Sequence, residues 1–438
     1  MSQGRKHILP PPELELPRTL HDDRHRIEEA QVPIVTISAT YKSEIAEHLG
    51  EHSRVINEAV LSRAHYSMSM AVFSQADLMG LTSWYVDPMN YVSQEGWKKI
   101  AFVERVGKLT ARVPLLKTVK GLADTFVRGK LPIQDAIEKP LLYVTERARF
   151  PIVSLHAIAG SVIAKSGKEV VQVVTDPFVR PEYIPEIERK NVVFAVFDQQ
   201  TKDEFLSVAK KLKMNLPDKR IVITGPPVDP KIVAVRSQKN PIAYKSRELR
   251  LVVATGGLGT NKGEIRQLLD NVLPKIESEK ISLLLYAGTQ NDFKEMFLEL
   301  CSKYEIEAGD IDSLAKVRII YNESIMQANR DLVKHAFYWA DGFVTKPSGD
   351  MAYDAVAAGC FILSLDPWGY WEKKIEENFT ARQIATRADA DNFMEQIKKL
   401  SKSSWIEKAI QNALDIDKIY LEGAKRIVDL QQNLAYNE

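Results

Sequence analysis

At 438 residues, with apolar residues at 45% and charged residues at 27%, the chain reads as a globular protein of two domains, each able to bury a core without covalent staples. Its 59 basic and 58 acidic residues nearly cancel, so whole-molecule charge points to no nucleic-acid partner. Two cysteines, Cys301 and Cys360, exclude a disulfide framework or an all-cysteine zinc site, no apolar run reaches the roughly 18 residues of a membrane span, and a reducing, cytoplasmic setting fits.

Residues 1–30 are polar and proline-rich, lack the apolar core of a secretory signal, and predict a flexible arm. A first strand falls at 33–39 (PIVTISA), followed by helix and by a long helical region from 60 to 130. Strands return at 151–156, 170–175, 192–197 and 220–224, with helical runs such as "TKDEFLSVAKKL" between them. Short apolar strands alternating with helices mean βαβ units and a parallel sheet, here a first domain over 31–235. The stretch "PPVDPKIVAVRSQKNPIAYKS" then breaks the pattern with prolines and polar residues and predicts a linker at 236–247.

The alternation restarts in a second domain over 248–400. Strands fall at 249–255, 281–287, 317–321, 342–346 and 361–365, and helices at 262–279, 291–305, 324–338 and 350–358. A helical tail over 401–438 suits either a return to the first domain or pairing with a second subunit. The fold class expected is α/β: two Rossmann-like domains in series facing across a cleft, with a helical insertion in the first and a long C-terminal helix. Ligands of such sheets bind beyond the carboxyl ends of the strands.

Two strand-to-helix turns of the second half fall at such ends. In "LVVATGGLGTNKGEI" a strand runs into Gly256, Gly257, Gly259 and Thr260 before a helix opens, which lets backbone N–H groups approach a phosphate. The spacing fails a Walker loop, because Lys262 is followed by Gly263, and is one residue too long for a dinucleotide fingerprint. A diphosphate-binding turn of another kind and a ligand-free glycine turn both remain. In "FVTKPSGDMAYDAVAAG" a strand ends in Lys346, Ser348 and Gly349, and Asp354 stands one turn into the next helix. Together the turns suit a nucleotide diphosphate, with Asp354 accepting from ribose hydroxyls. A solvated lysine and a dipole-favoured acid would account for Lys346 and Asp354 equally.

The segment "FVTKPSGDMAYDAVAAGCFILSLDP" resembles the donor-site signature of MGDG synthase-like and peptidoglycan N-acetylglucosaminyltransferase-like enzymes, with Asp354-Ala355-Val356 in the place of that motif's Glu-Ala-Leu. "PIVSLHAIAG", "VVQVVTDP", "VVFAVFDQQTKDEF" and "IVITGPPVDP" follow the same order, so the likeness covers roughly residues 150–375. It implies a GT-B glycosyltransferase moving a hexose from a UDP-sugar to a hydroxyl with inversion. The sequence shows no metal cluster, and no tightly bound cofactor is expected. Asp354 would bind the ribose, Gly257, Gly259, Ser348 and Gly349 would border the diphosphate, and Glu372 would meet the sugar.

The pattern departs after the first strand, where the family carries a glycine-rich loop ending in a histidine. "TYKSEIAEHLGEH" has no glycine before Gly50, and His48 and His52 lie too far along. The candidates for the base are therefore His156 and Asp176, each at a predicted strand end, with the aspartate acting as base or orienting the histidine.

Residues 97–132 carry nine Lys or Arg against two acids. Lys98, Lys99, Arg105, Lys108, Arg112, Lys117, Lys120 and Arg128 would face an anionic membrane, with Leu115, Leu116, Val119, Leu122 and Phe126 on the apolar side. A core-facing helix with a solvated basic face is the other reading. The resemblance implies a lipid acceptor at the inner face of the membrane. Two rivals share the fold: a UDP-sugar epimerase, which needs several acids in the cleft, and a catalytically silent nucleotide-sugar-binding protein.

Overall fold

The computed structural model describes residues 17–39, 60–92, 132–256 and 259–436. The chain divides into two compact units. Val228–Gly423 forms the second, and the described residues on either side of it form the first.

Among the described residues the first unit holds six parallel strands: β1 (Val32–Val35), β2 (Ser83–Val86), β3 (Ile152–Ser154), β4 (Val170–Val173), β5 (Val192–Val196) and β6 (Ile221–Ile223), in the spatial order β2-β1-β3-β4-β5-β6. Strands such as VPIV and VVQV are buried at every position, as a parallel sheet covered on both faces requires. Side-chain caps on Ser62, His156 and Asp198 open the helices Arg63–Leu78, Ala157–Lys165 and Gln199–Lys211.

Three expectations are corrected here. Part of the supposed arm is a helix, Pro17–Glu29, whose Leu20 and Ile27 are fully buried. Its charged residues disguise an apolar face: Asp23 accepts from Trp84 Nε1 at 2.9 Å, and the Arg24 guanidinium lies 4.0 Å over the Tyr143 ring. The region expected to be helical from 60 to 130 contains strand β2, because Gly80, at φ +70°, ends the preceding helix and the aromatic run Ser83–Val86 pairs with β1. The C-terminal tail is not one helix. Phe393–Lys402 and Trp405–Leu414 belong to the second unit, separated by Ser404 at φ +56°, while Gly423–Tyr436 returns to the first. There the buried Gln431 donates to the carbonyls of Gln31 and Pro151, each at 2.9 Å.

The second unit holds seven parallel strands: β7 (Leu249–Ala254), β8 (Ile281–Gly288), β9 (Ala308–Gly309), β10 (Val317–Tyr321), β11 (Gly342–Thr345), β12 (Phe361–Ser364) and β13 (Ala385–Arg387), ordered β13-β12-β11-β7-β8-β10-β9. β9 and β13, of two and three residues, are too short for periodicity to reveal. The stretch expected as a linker lies inside this unit, which begins at Val228. Both units are Rossmann-like. Among the described residues no helix is long and apolar enough to cross a membrane. Residues 40–59 and 93–131, which include His48, His52 and every basic residue assigned to the membrane face, lie outside the described residues.

Candidate functional site

In the second sheet the chain steps from β7 to β8 on one side and later places β11 on the other, so strand order reverses between β7 and β11. Crevices at such switch points are where open parallel sheets bind ligands. Ala254 and Thr345 pair at the ends of these two strands, so the turns that leave them start side by side.

The turn after β7 is closed by Gly259 N donating to Gly256 O at 2.8 Å, with Gly259 at φ +61° and Asn261 at φ +65°. Asn261 Nδ2 donates to Glu264 Oε2 at 2.7 Å and to Asp366 O at 2.9 Å, which ties the turn to the segment after β12. Burial raises the Glu264 carboxyl, although Asn261 and the Asp366 N–H both favour its charge. The helix that follows, Lys262–Val272, has no side-chain cap. Beside its N-terminus the Thr260 hydroxyl, on a residue 6% exposed, and the Asn261 amide oxygen are buried without a hydrogen-bond partner among the described residues. Orphaned buried polar atoms are few in native proteins and call for an explanation. Gly257 lies outside the described residues.

The turn after β11 carries Lys346, Ser348, Gly349 and Asp354. Ser348 Oγ donates to Asp350 Oδ1 at 2.7 Å and accepts from Met351 N at 3.2 Å, opening the short helix Met351–Ala357. Asp354 is 4% exposed, one turn in. Lys346 crosses the glycine turn, and its Nζ donates to Glu372 Oε1 at 2.6 Å, while Trp368 N donates to Glu372 Oε2 at 2.6 Å. Glu372, the acid expected to meet a sugar, therefore has both oxygens engaged within the protein. Lys346, Glu372 and Gly256 are brought into one cluster. Asp354 and Thr260 share the same strand-end edge.

In the first unit the strand order reverses between β1 and β3. Asp87, just past β2, accepts from Ser38 N at 2.6 Å, Ser38 Oγ at 2.9 Å, Ala39 N at 2.9 Å and Met89 N at 3.0 Å. Burial pushes its carboxyl up to about 6 despite those bonds.

His156 caps the helix Ala157–Lys165, with Nδ1 accepting from Ile158 N at 3.2 Å. An N–H can only donate, so the neutral ring keeps its proton on Nε2. Burial first, then His65 and Arg180, hold the ring well below its ordinary value of 6.5. The aspartate expected beside it, Asp176, pairs instead with Arg180 four residues on.

His156 meets another histidine, His65, edge to face with ring centroids 5.0 Å apart. His65 Nδ1 lies 3.2 Å from Ile37 O, and a carbonyl can only accept, so that nitrogen carries the proton. Nε2 is left with its lone pair, 3.3 Å from Thr175 Oγ1, and Tyr183 hydrogen-bonds Thr175 in turn. His65 Nε2 thus accepts from the Thr175 hydroxyl, while His156 carries its proton on Nε2. Sequence reasoning passed over His65. Its signal was Ser62 three residues earlier, the side-chain cap that accepts from His65 N and marks a helix start after β1. Among the described residues no group of three or more potential ligands could hold a metal ion.

No protein-family model and no curated protein matches the chain in sequence. Its fold does match solved structures. UDP-GlcNAc 2-epimerase from Neisseria meningitidis bound to UDP-GlcNAc aligns over 92% of this chain and all of its own, at 13% identity and a TM-score of 0.50. Os79 from O. sativa in complex with UDP aligns over 91% and 99%, at 10% identity and 0.52. An α,α-trehalose-phosphate synthase (UDP-forming) from Burkholderia vietnamiensis aligns over 93% and 100%, at 10% identity and 0.51. The chain has the GT-B architecture of two Rossmann-like units. Identities this low single out no family within it.

Proposed function

We propose that the protein is a UDP-sugar-dependent glycosyltransferase that moves a hexose to a hydroxyl from a donor held on the second unit. The observation that carries this reading is the buried Thr260 hydroxyl, without a hydrogen-bond partner among the described residues, at the N-terminus of Lys262–Val272 beside the switch point. Helix N-terminal amides and the dipole favour a diphosphate there, and the Thr260 hydroxyl would supply one more donor. Asp354 would accept from the ribose hydroxyls. Lys346 is already matched by Glu372, so the amides and the helix end carry most of the phosphate charge.

In the reaction the acceptor oxygen bonds to the anomeric carbon as the bond from that carbon to UDP breaks. The acceptor proton passes to His65 Nε2, which must first release the Thr175 hydroxyl that faces it, and UDP leaves with the electron pair. Its tautomer suits His65 to the task better than His156, which would instead donate through Nε2–H to an oxygen. Attack opposite the leaving group inverts the anomeric centre. A lipid acceptor at a cytoplasmic membrane face is supported by the basic composition of residues 97–132.

One observation favours a silent nucleotide-sugar-binding protein instead: His65 Nε2 and His156 Nδ1 are both engaged by the protein's own groups. An epimerase is disfavoured, since Asp87 and Asp176, the acids following β2 and β4, are also committed to protein partners.

Calorimetric titration of UDP into wild type and Asp354→Ala, followed by release of UDP from UDP-glucose, UDP-galactose and UDP-N-acetylglucosamine with and without lipid vesicles, tests the proposal. Binding weakened by the substitution, with lipid-dependent release, supports it. Binding without turnover turns the reading to the silent protein, and absence of UDP binding removes the donor site.

A further inference from the structure

Two cations stand three residues apart in the stretch that precedes β7. Arg236 donates through one terminal nitrogen to Ala357 O at 2.9 Å and Val356 O at 3.4 Å, and through the other to Leu414 O. Val356 and Ala357 close the helix that carries Asp354, and Leu414 closes Trp405–Leu414. Lys239 Nζ donates to Phe337 O at 2.6 Å, Tyr338 O at 3.3 Å and Ala340 O. Those carbonyls end the helical run that leads into β11. The strand-turn-helix stretch from Gly342 to Ala357, which carries Lys346, Ser348, Gly349 and Asp354, is therefore gripped before its first residue and at its last.

The final carbonyls of a helix have no partner within it and carry partial negative charge, and a planar guanidinium can serve two such ends at once. Met351–Ala357 has seven residues, all buried. A helix shorter than about 12 residues does not hold itself together in water, so its surroundings set where it lies. Apolar packing resists sideways displacement but opposes a small slip along the axis only weakly. A hydrogen bond made end-on opposes that slip directly, and the slip is the motion that would shift Asp354 relative to the strand ends.

We infer that Arg236 is a positioning residue for the nucleotide site, clamping the Asp354 helix from behind without touching the ligand. This rests on the reading of that site as UDP-binding. The test compares wild type with Arg236→Met and Arg236→Lys in the full chain, by backbone hydrogen–deuterium exchange without UDP and by UDP calorimetry. In Arg236→Met, faster exchange over 346–359 is expected, together with UDP affinity weaker by about tenfold or more. Arg236→Lys should fall between, because one ammonium cannot span both helix ends.

Unchanged exchange over 346–359 overturns the clamp, whatever UDP does. Faster exchange there with unchanged UDP affinity overturns the positioning role. If wild type takes up no UDP, the donor-site reading falls and the positioning role with it, while the exchange data still decide whether the clamp exists. Should Arg236→Met fail to fold, Arg236→Lys carries both readouts with the same outcomes.

Discussion

Lys346 lies across Gly256 so closely that a side-chain carbon at Gly256 would overlap the lysine's ε-carbon. The glycine is required there by a neighbour's side chain rather than by a left-handed backbone. Lys346 cannot simply swing away, since its Nζ is held by the buried Glu372.

Gly256→Ala should therefore destabilise the second unit by about 1–3 kcal/mol, as overpacking generally does, and weaken UDP binding. Gly263→Ala is the control: its added carbon meets nothing within 4 Å, and the helix position should gain up to about 1 kcal/mol. Urea denaturation of the two variants checks both signs.

The Lys346–Glu372 pair is nearly inaccessible, with side-chain exposures of 10% and 2%. Lys346→Met leaves an uncompensated carboxylate, and Glu372→Gln an uncompensated ammonium. Each should cost about 3–5 kcal/mol, and the double variant should recover much of it. A double-mutant cycle by chemical denaturation reads the coupling, and additive losses would show the two residues to be independent.

His65→Asn should lower transfer by about 10²–10⁴-fold, the usual contribution of a general base, and leave UDP affinity untouched. His156→Asn should cost transfer less, since its ring gives a proton rather than takes one. Rates of UDP release beside calorimetric affinities separate the two. A larger loss from His156→Asn would reverse the assignment.

Acid stability should depend on His156. The unfolded ring takes a proton near 6.5 while the folded one refuses it, so stability falls as pH drops below 6.5, by up to about 1.4 kcal/mol per unit. Asp87 works the other way. Its folded value of about 6 exceeds the ordinary 3.8, so stability rises as pH falls through that window. His156→Asn keeps a capping oxygen for Ile158 N and removes only the first effect. Urea unfolding at pH 7, 6 and 5 should show the variant losing less stability than wild type. Parallel losses would rule His156 out as the cause.

Alternation of short β-branched strands with amphipathic helices was enough to place ten of the thirteen strands among the described residues, because burial on both faces leaves a continuous apolar run such as VVFAV or ISLLLYAG in the chain itself. The two strand-to-helix turns of the second unit were legible for a similar reason. Glycine, Asn-type polar residues and a strand-to-helix change are local signals, and Gly256 and Thr260 follow β7 as Lys346 and Asp354 follow β11. Pairings between distant residues leave no such trace. His65 meets Thr175 and Ile37, Lys346 meets Glu372, and Arg236 meets Leu414 through the folded backbone alone. Nothing in the local pattern of Glu372 says that a lysine will occupy it, and nothing in "AVRSQK" distinguishes a linker from a clamp. Side-chain roles of this kind depend on which strand ends the topology sets next to each other, a property of the whole sheet and not of any one segment.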